Sequence, residues 1–207
     1  MTSTRVHLLR HGQVEGHETK RYNGQGDTPL TSLGRRQAVA LGARFAGLTL
    51  AGIYSSDLQR CRFVAEQVAL SQQVAAVYRR GLRELSLGEW EGQSWTVLQR
   101  DYPELWQARL ADIVHVAAPG GETFLDLATR VRPLMEEIIS SHRGDEIVIV
   151  AHGGVNRVVL LDALDAPLKS AFRIEQDYAC HNIIDYHPQG HAVVALMNGL
   201  LPLPERG

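Results

Sequence analysis

The chain alternates short apolar runs with longer stretches in which apolar residues recur every three or four positions. Val6 to Leu9, Ala51 to Tyr54, Val74 to Val77 and Ile147 to Ala151 have the length and content of buried strands, the last being free of charge. Helices are predicted between them. The first is capped by Thr31, with Leu33, Val39, Ala40, Ala43 and Phe45 spaced for burial and Gly47 closing it. SSDLQRCRFVAEQVAL is the second, with Ser56 or Asp57 able to cap its first turn. Short helices are expected within Ser94 to Asp112, and Val155 to Leu164 is the last of the set. After the breaker Pro119-Gly120-Gly121, a long amphipathic helix covers the region from Thr123 to Ser141. Residues 12 to 30 and 82 to 92 show no period and read as ordered, irregular chain. Residues 182 to 186 and 192 to 197 form two late strands about a turn at Pro188-Gln189-Gly190. Strands alternating with helices predict an α/β fold, a three-layer α/β/α sandwich with a mostly parallel central sheet, in one domain over residues 1–207.

Composition narrows the partners. A length of 207 residues and a 44% hydrophobic share suffice for a full core. A formal net charge of −2 leaves no electrostatic footprint for nucleic acid or an anionic membrane. Any bound anion must therefore be held by a few placed cations. Cys61 and Cys180 form no spacing motif and suit a reducing compartment. MTSTRVHLL lacks a long apolar core and a small-residue cleavage site, and no apolar run reaches bilayer length, so a cytoplasmic protein is expected.

Chemistry gathers at the strand ends. In open α/β sheets, ligands bind beyond the carboxyl ends of the strands. Arg10-His11-Gly12 follows the first strand and His152-Gly153-Gly154 follows the most apolar one. Tyr54-Ser55-Ser56 marks a third strand end and feeds a helix with Arg60 and Arg62. Arg10, His11, His152 and one of the two helix arginines are thus predicted to share a crevice. Gly12, Gly153 and Gly154 are expected to admit a bound group, and the helix start near Val155 to favour an anion. These groups suit phosphoryl transfer. Arginine forks pair phosphate oxygens, and a neutral imidazole attacks phosphorus without a metal. The proton for the departing alkoxide is assigned to Glu84, partly buried between Leu82 and Leu85, whereas Glu89 and Glu91 are expected to face solvent.

The ordered set LLRHG (8–12), YNGQGDTPLTSLGRRQA (22–38), SSDLQRC (55–61), LRELSLGEWEG (82–92), PGGET (119–123) and VAHGG (150–154) resembles the histidine phosphatase superfamily, also called phosphoglycerate mutase-like. The resemblance implies that His11 becomes a phosphohistidine, that Glu84 donates and accepts the proton, and that Arg10, Arg60 and His152 form the phosphate pocket. Asn23, Gly24 and Gly153 would line the substrate side. His17 stands where many members carry an asparagine that donates to the phosphate, so it is a substrate-binding candidate. Arg62 has no counterpart and reads as a solvated helix residue.

Within that family the interval from Glu84 to His152 is short, with few basic residues: Arg100, Arg109, Arg130, Arg132, His142 and Arg143, several on an apparent solvated helix face. That favours a phosphatase over a cofactor-dependent phosphoglycerate mutase. The pattern is most similar to alpha-ribazole-5′-phosphate phosphatases and broad-specificity phosphatases, which makes alpha-ribazole 5′-phosphate a candidate substrate. A non-catalytic binding relative is the alternative of another class. A metallohydrolase would have to use His181, His187 and His191, which read instead as surface or turn histidines. Trp90, Trp95, Tyr102 and Trp106 either pack a lid on the core or form an apolar wall for the leaving group. No metal, cofactor, nucleic acid or membrane is expected; the partner is a small phosphorylated metabolite, and a homodimer is compatible with the class.

Overall fold

A computed structural model of the protein describes residues 2–201. Met1 and residues 202–207, which the expected domain 1–207 includes, lie outside the described residues. One six-stranded sheet runs through the molecule, formed by β1 (Thr4–Arg10), β2 (Gly52–Ser55), β3 (Ala76–Tyr78), β4 (Glu146–Ala151), β5 (His181–Tyr186) and β6 (Ala192–Gly199). Their order is β3-β2-β4-β1-β5-β6. The β3-β2, β2-β4 and β4-β1 pairs are parallel; β1-β5 and β5-β6 are antiparallel.

The central strands are buried on both faces, which is why their sequences read as nearly continuous apolar runs. On one face Val6, Leu8, Ile147, Ile149 and Ala151 meet α5 (Phe124–Ser141) and α6 (Gly153–Ala163). On the other, Leu9, Ile53, Val148 and Val150 meet α1 (Ser32–Ala43) and α2 (Gln59–Ala69). Two short helices, α3 (Trp95–Asp101) and α4 (Pro103–Ala111), lie between β3 and α5 in the chain. The three-layer α/β/α sandwich with a mostly parallel sheet is the observed architecture.

Two local expectations are corrected. Thr31 does cap α1, its side chain accepting from Gly34 N at 2.9 Å, but the buried stripe is Gly34, Ala38, Leu41 and Gly42. Val39 is 52% exposed and Ala43 also faces solvent. The helix packs by backbone approach: a Cβ on Gly34 would fall 2.0 Å from Gln13 O, and one on Gly42 2.6 Å from Gln67 O. A search for apolar side chains cannot find a face built of glycine.

The start of α2 is the second correction. Neither Ser56 nor Asp57 caps it by side chain; the cap residue is Leu58. Gln59 N instead donates to Asp27 Oδ1 at 2.8 Å, a cap supplied from the loop before α1. Asp57 forms a two-point ion pair with Arg83 at 2.7 Å, and Ser56 is left to meet His152. On α5, Thr123 and Asp126 form a capping box, which pins the helix start directly after PGGET.

Candidate active site

The parallel register of β1 and β4 pairs Arg10 with Ala151, so the next residue of each strand is a histidine. Their rings lie 5.1 Å apart and edge-on. His11 Nδ1 lies 2.8 Å from Gly12 O, which makes Nδ1 the protonated nitrogen and leaves Nε2 with its lone pair. The ring is 5% exposed and borders a cavity of about 270 Å³. Burial, aided by the charges of Arg60 and Arg10, drives its pKa well below the ordinary histidine value, so it is neutral near pH 7.

His152 is fully buried and both of its ring nitrogens are engaged. Arg60 Nε donates to Nδ1 at 3.3 Å, and Nε2 lies 2.9 Å from Ser56 Oγ. Its pKa is also pushed far down, first by burial and then by Arg60. Arg60, 2% exposed, uses its remaining nitrogens on the carbonyls of Gly26 (2.6 Å) and Gly24 (2.8 Å). It thereby holds the loop that carries Asn23 and Gly24 against the cavity. Arg10 donates to Gln176 O and stacks on Tyr178, whose ring centroid is 4.2 Å from its Cζ.

Glu84 reaches the same cavity from the irregular segment after β3. It is half-buried, as expected. Its carboxylate accepts from Leu85 N at 2.8 Å and from Gly154 N, in the first turn of α6, at 3.0 Å. A Cβ on Gly154 would fall 2.3 Å from Glu84 Oε1, so a side chain at this position would push the carboxylate from its place. The segment is braced from behind. Arg130 of α5 donates to Gly81 O and Glu84 O, each at 2.8 Å, and pairs with Glu122, which accepts from Ser86 N at 2.8 Å. Gly88, at φ +50°, packs its Cα against Pro119 O and the Gly120-Gly121 peptide. LRELSLGEWEG and PGGET are therefore two halves of one mount for the carboxylate.

Of the residues singled out in the sequence, Arg10, His11, Asn23, Gly24, Arg60 and Glu84 border the cavity, and His152 stands directly behind it. Several expectations are corrected. His17 does not border it; it lies in a tight turn, His17–Thr19, with Nδ1 3.4 Å from Glu18 Oε1. Gly12 faces the backbone of Gly34, and Gly153 faces the guanidinium groups of Arg157 and Arg10, so both glycines serve close packing. It is Gly154, not Gly153, that borders the cavity. Glu91 is not solvated: its Oε1 accepts from Gln25 N (2.9 Å) and Leu87 N (3.1 Å), tying the Asn23–Gly24 loop to the Glu84 segment. Glu89 is exposed and Arg62 lies on the surface over Tyr78, as read. The aromatics divide: Trp90 and Trp106 are buried, whereas Trp95, 38% exposed, borders the cavity beside Tyr22.

Sequence reasoning missed Arg109, Arg157, Phe172 and Tyr178, all of which border the cavity. Arg109 belongs to a set of basic residues of which several read as a solvated helix face, yet it is 4% exposed. The one available signal was its position three residues after Trp106, on the same side of a helix. His181 is also corrected. It is buried and paired with His7 (Nε2 to Nδ1, 2.8 Å), while His187 and His191 stack at the far end of β5. The three do not meet, and no group of three or more potential metal ligands occurs among the described residues. No helix there is long and apolar enough to cross a membrane.

Known proteins agree with this arrangement. The chain is 35% identical over 200 residues to the bifunctional protein Rv2228c of Mycobacterium tuberculosis, a match covering 95% of this chain and 54% of that one. It thus spans about half the length of the first curated relatives it matches. It is 38% identical over 180 residues to the glucosyl-3-phosphoglycerate phosphatase of Mycobacterium tuberculosis, covering 81% of this chain and 76% of that one. The crystal structure of the alpha-ribazole phosphatase from Shigella flexneri superposes with a TM-score of 0.87 at 26% identity, over 94% of this chain and 96% of that one. The family model for branch 1 of the histidine phosphatases matches residues 6–199. A buried, neutral histidine at a strand end, a carboxylate mounted on a helix start and a match of that length place the chain in the histidine phosphatase superfamily, branch 1.

Proposed function

We propose that the protein is a metal-independent phosphatase that hydrolyses a small phosphomonoester through a phosphohistidine at His11. The observation that carries this reading is the His11 tautomer: Nδ1 is spent on Gly12 O, so the nucleophilic lone pair sits on Nε2. In the first step Nε2 bonds to phosphorus while the bond to the leaving oxygen breaks. The electron pair departs with that oxygen, which takes a proton from Glu84. In the second step water attacks phosphorus, Glu84 takes its proton, the P–N bond breaks and Nε2 recovers its lone pair as orthophosphate forms. Arg10 and Arg60 supply the positive charge that balances the equatorial oxygens, so no metal is needed for charge. His152 acts through Arg60, whose Nε it receives.

The substrate is a small phosphorylated metabolite, with alpha-ribazole 5′-phosphate among the candidates. Tyr22, Trp95, Phe124, Phe172 and Tyr178 give the cavity an aromatic wall on which a leaving group can lie. The test is phosphate release from alpha-ribazole phosphate, phosphoglycerates, sugar phosphates and nucleotides, with chelator present. Activity that needs a restored divalent ion overturns the metal-independent mechanism. Rapid conversion of 3-phosphoglycerate to 2-phosphoglycerate with catalytic 2,3-bisphosphoglycerate, outrunning phosphate release from every ester, makes the protein a mutase instead.

A further inference from the structure

Five arginines border the cavity, Arg10, Arg21, Arg60, Arg109 and Arg157, against one carboxylate, Glu84. A phosphate dianion answers only part of that charge. Four of the arginines are anchored on the protein: Arg10 on Gln176 O, Arg21 on Thr19 Oγ1, Arg60 on Gly24 O and Gly26 O, and Arg157 on Ile174 O. Arg109 is the exception. It is 4% exposed, and its buried Nε and Nη1 have no partner among the described residues. Its neighbour is the Tyr22 ring, 5.9 Å from Cζ, and no carboxylate among the described residues offsets its burial. An uncompensated buried guanidinium destabilises a fold unless something else meets it. It is held there by packing: Trp106, one turn earlier on α4, is buried among Trp90, Trp95 and Tyr22.

We propose that Arg109 receives a second anionic group, a carboxylate or a further phosphate, carried on the leaving-group portion of the substrate. Preferred substrates are then phosphorylated acids or bisphosphates, ahead of esters with a single charged group such as alpha-ribazole 5′-phosphate. The inference rests on the phosphatase reading for which end of the substrate meets His11. The aromatic wall remains available to the carbon skeleton between the two anions.

Two matched pairs test it. 3-Phosphoglycerate and glycerol 3-phosphate differ in a carboxylate against a hydroxymethyl group; fructose 1,6-bisphosphate and fructose 6-phosphate differ in a second phosphate. Binding is measured by calorimetry on the His11→Ala protein, which does not depend on turnover, with and without Arg109→Met or Arg109→Lys. In the His11→Ala background at least one pair should favour the more anionic member by about tenfold or more, the scale of a charge-assisted contact. Which pair responds distinguishes a carboxylate from a phosphate. Arg109→Met should bring that ratio close to one, and Arg109→Lys should retain part of it. Equal binding within both pairs overturns the proposal, as does a ratio unchanged by Arg109→Met. If Arg109→Met does not fold, a ratio unchanged in Arg109→Lys overturns it equally. Wild-type protein that binds with the expected preference but releases phosphate from no ester would sink the phosphatase reading and leave this subsite standing.

Discussion

After β1 the chain reads Arg-His-Gly and after β4 it reads Ala-His-Gly-Gly, and the paired register brings both imidazoles to the same end of the sheet. There they differ. His11 spends one nitrogen on its own backbone neighbour and keeps the other for the cavity. His152 spends both, one on Arg60 and one on Ser56, and has no exposed surface. Two nearly identical strand ends thus yield an imidazole with a free nitrogen and a support for an arginine. The difference comes from β2, which ends beside β4 and delivers Ser56 and then Arg60 to His152; β1 is flanked on its other side by β5 and receives no such partner.

The largest effect should come from removing the free nitrogen. His11→Ala is expected to abolish turnover while leaving the unfolding transition close to that of the wild type. Rapid quench of the wild type with labelled substrate should trap acid-labile, base-stable phosphate on protein. Near-normal activity of His11→Ala, with no trapped label, breaks the contrast outright. Glu84→Gln comes next. It should slow esters with poor leaving groups by about a hundred- to ten-thousandfold, and p-nitrophenyl phosphate far less. Equal losses on both would move the acid role to another group.

A smaller effect sharpens the contrast from the side of His152. Ser56→Ala leaves the buried imidazole N–H only the weak acceptor Cys61 Sγ, at 3.4 Å, and should cost about 1–3 kcal/mol in urea unfolding, on the scale of a buried donor deprived of its acceptor. Activity should fall with it, because Arg60 loses a fixed partner. A variant with full stability and full activity would show that the Ser56 contact positions nothing.

The last prediction bears on stability alone and concerns pH. His11 and His152 are held well below the usual value of 6.5, chiefly by burial. Away from the site, burial also lowers His7 and brings His181 to about 3; His7 joins Glu146 Oε1 at 2.6 Å to His181 at 2.8 Å. All four are neutral when folded and take up a proton more readily when unfolded. Stability is therefore present in full above pH 6.5 and declines as pH falls below it toward the folded values. Each group can contribute up to about 1.4 kcal/mol per pH unit in that window. Urea unfolding at pH 7.5 and 5.5 measures the sum, and a protein equally stable at both would contradict the neutral buried histidines.

The motif-bearing strand ends were legible in the sequence because they are local: an apolar run stops, and a charged or imidazole residue stands at its carboxyl end. The order of strands and helices was legible for the same reason, each element being set by its own period. The place of Glu84 at the cavity was legible, but its mount was not. Arg130 and Glu122 lie 46 and 38 residues further along the chain, and no periodicity announces that they brace it. His17 misled because chain distance from His11 stood in for position, and the loop turns it away.

What the sequence determined by itself was therefore the alternation of layers, the cap at Thr31, and the set of reactive residues at strand ends, since each depends on neighbours within about a turn. Tertiary structure decided the rest. It chose Asp27 to cap α2, used glycine where α1 meets the loop after β1, buried His181 against His7, and separated His11 from His152 in role. It also brought Arg109, which reads as a surface residue, to the cavity with no carboxylate among the described residues offsetting its burial. Hydrogen-bond partners and desolvation depend on what the fold places within a few ångströms, and residues far apart along the chain supply most of it.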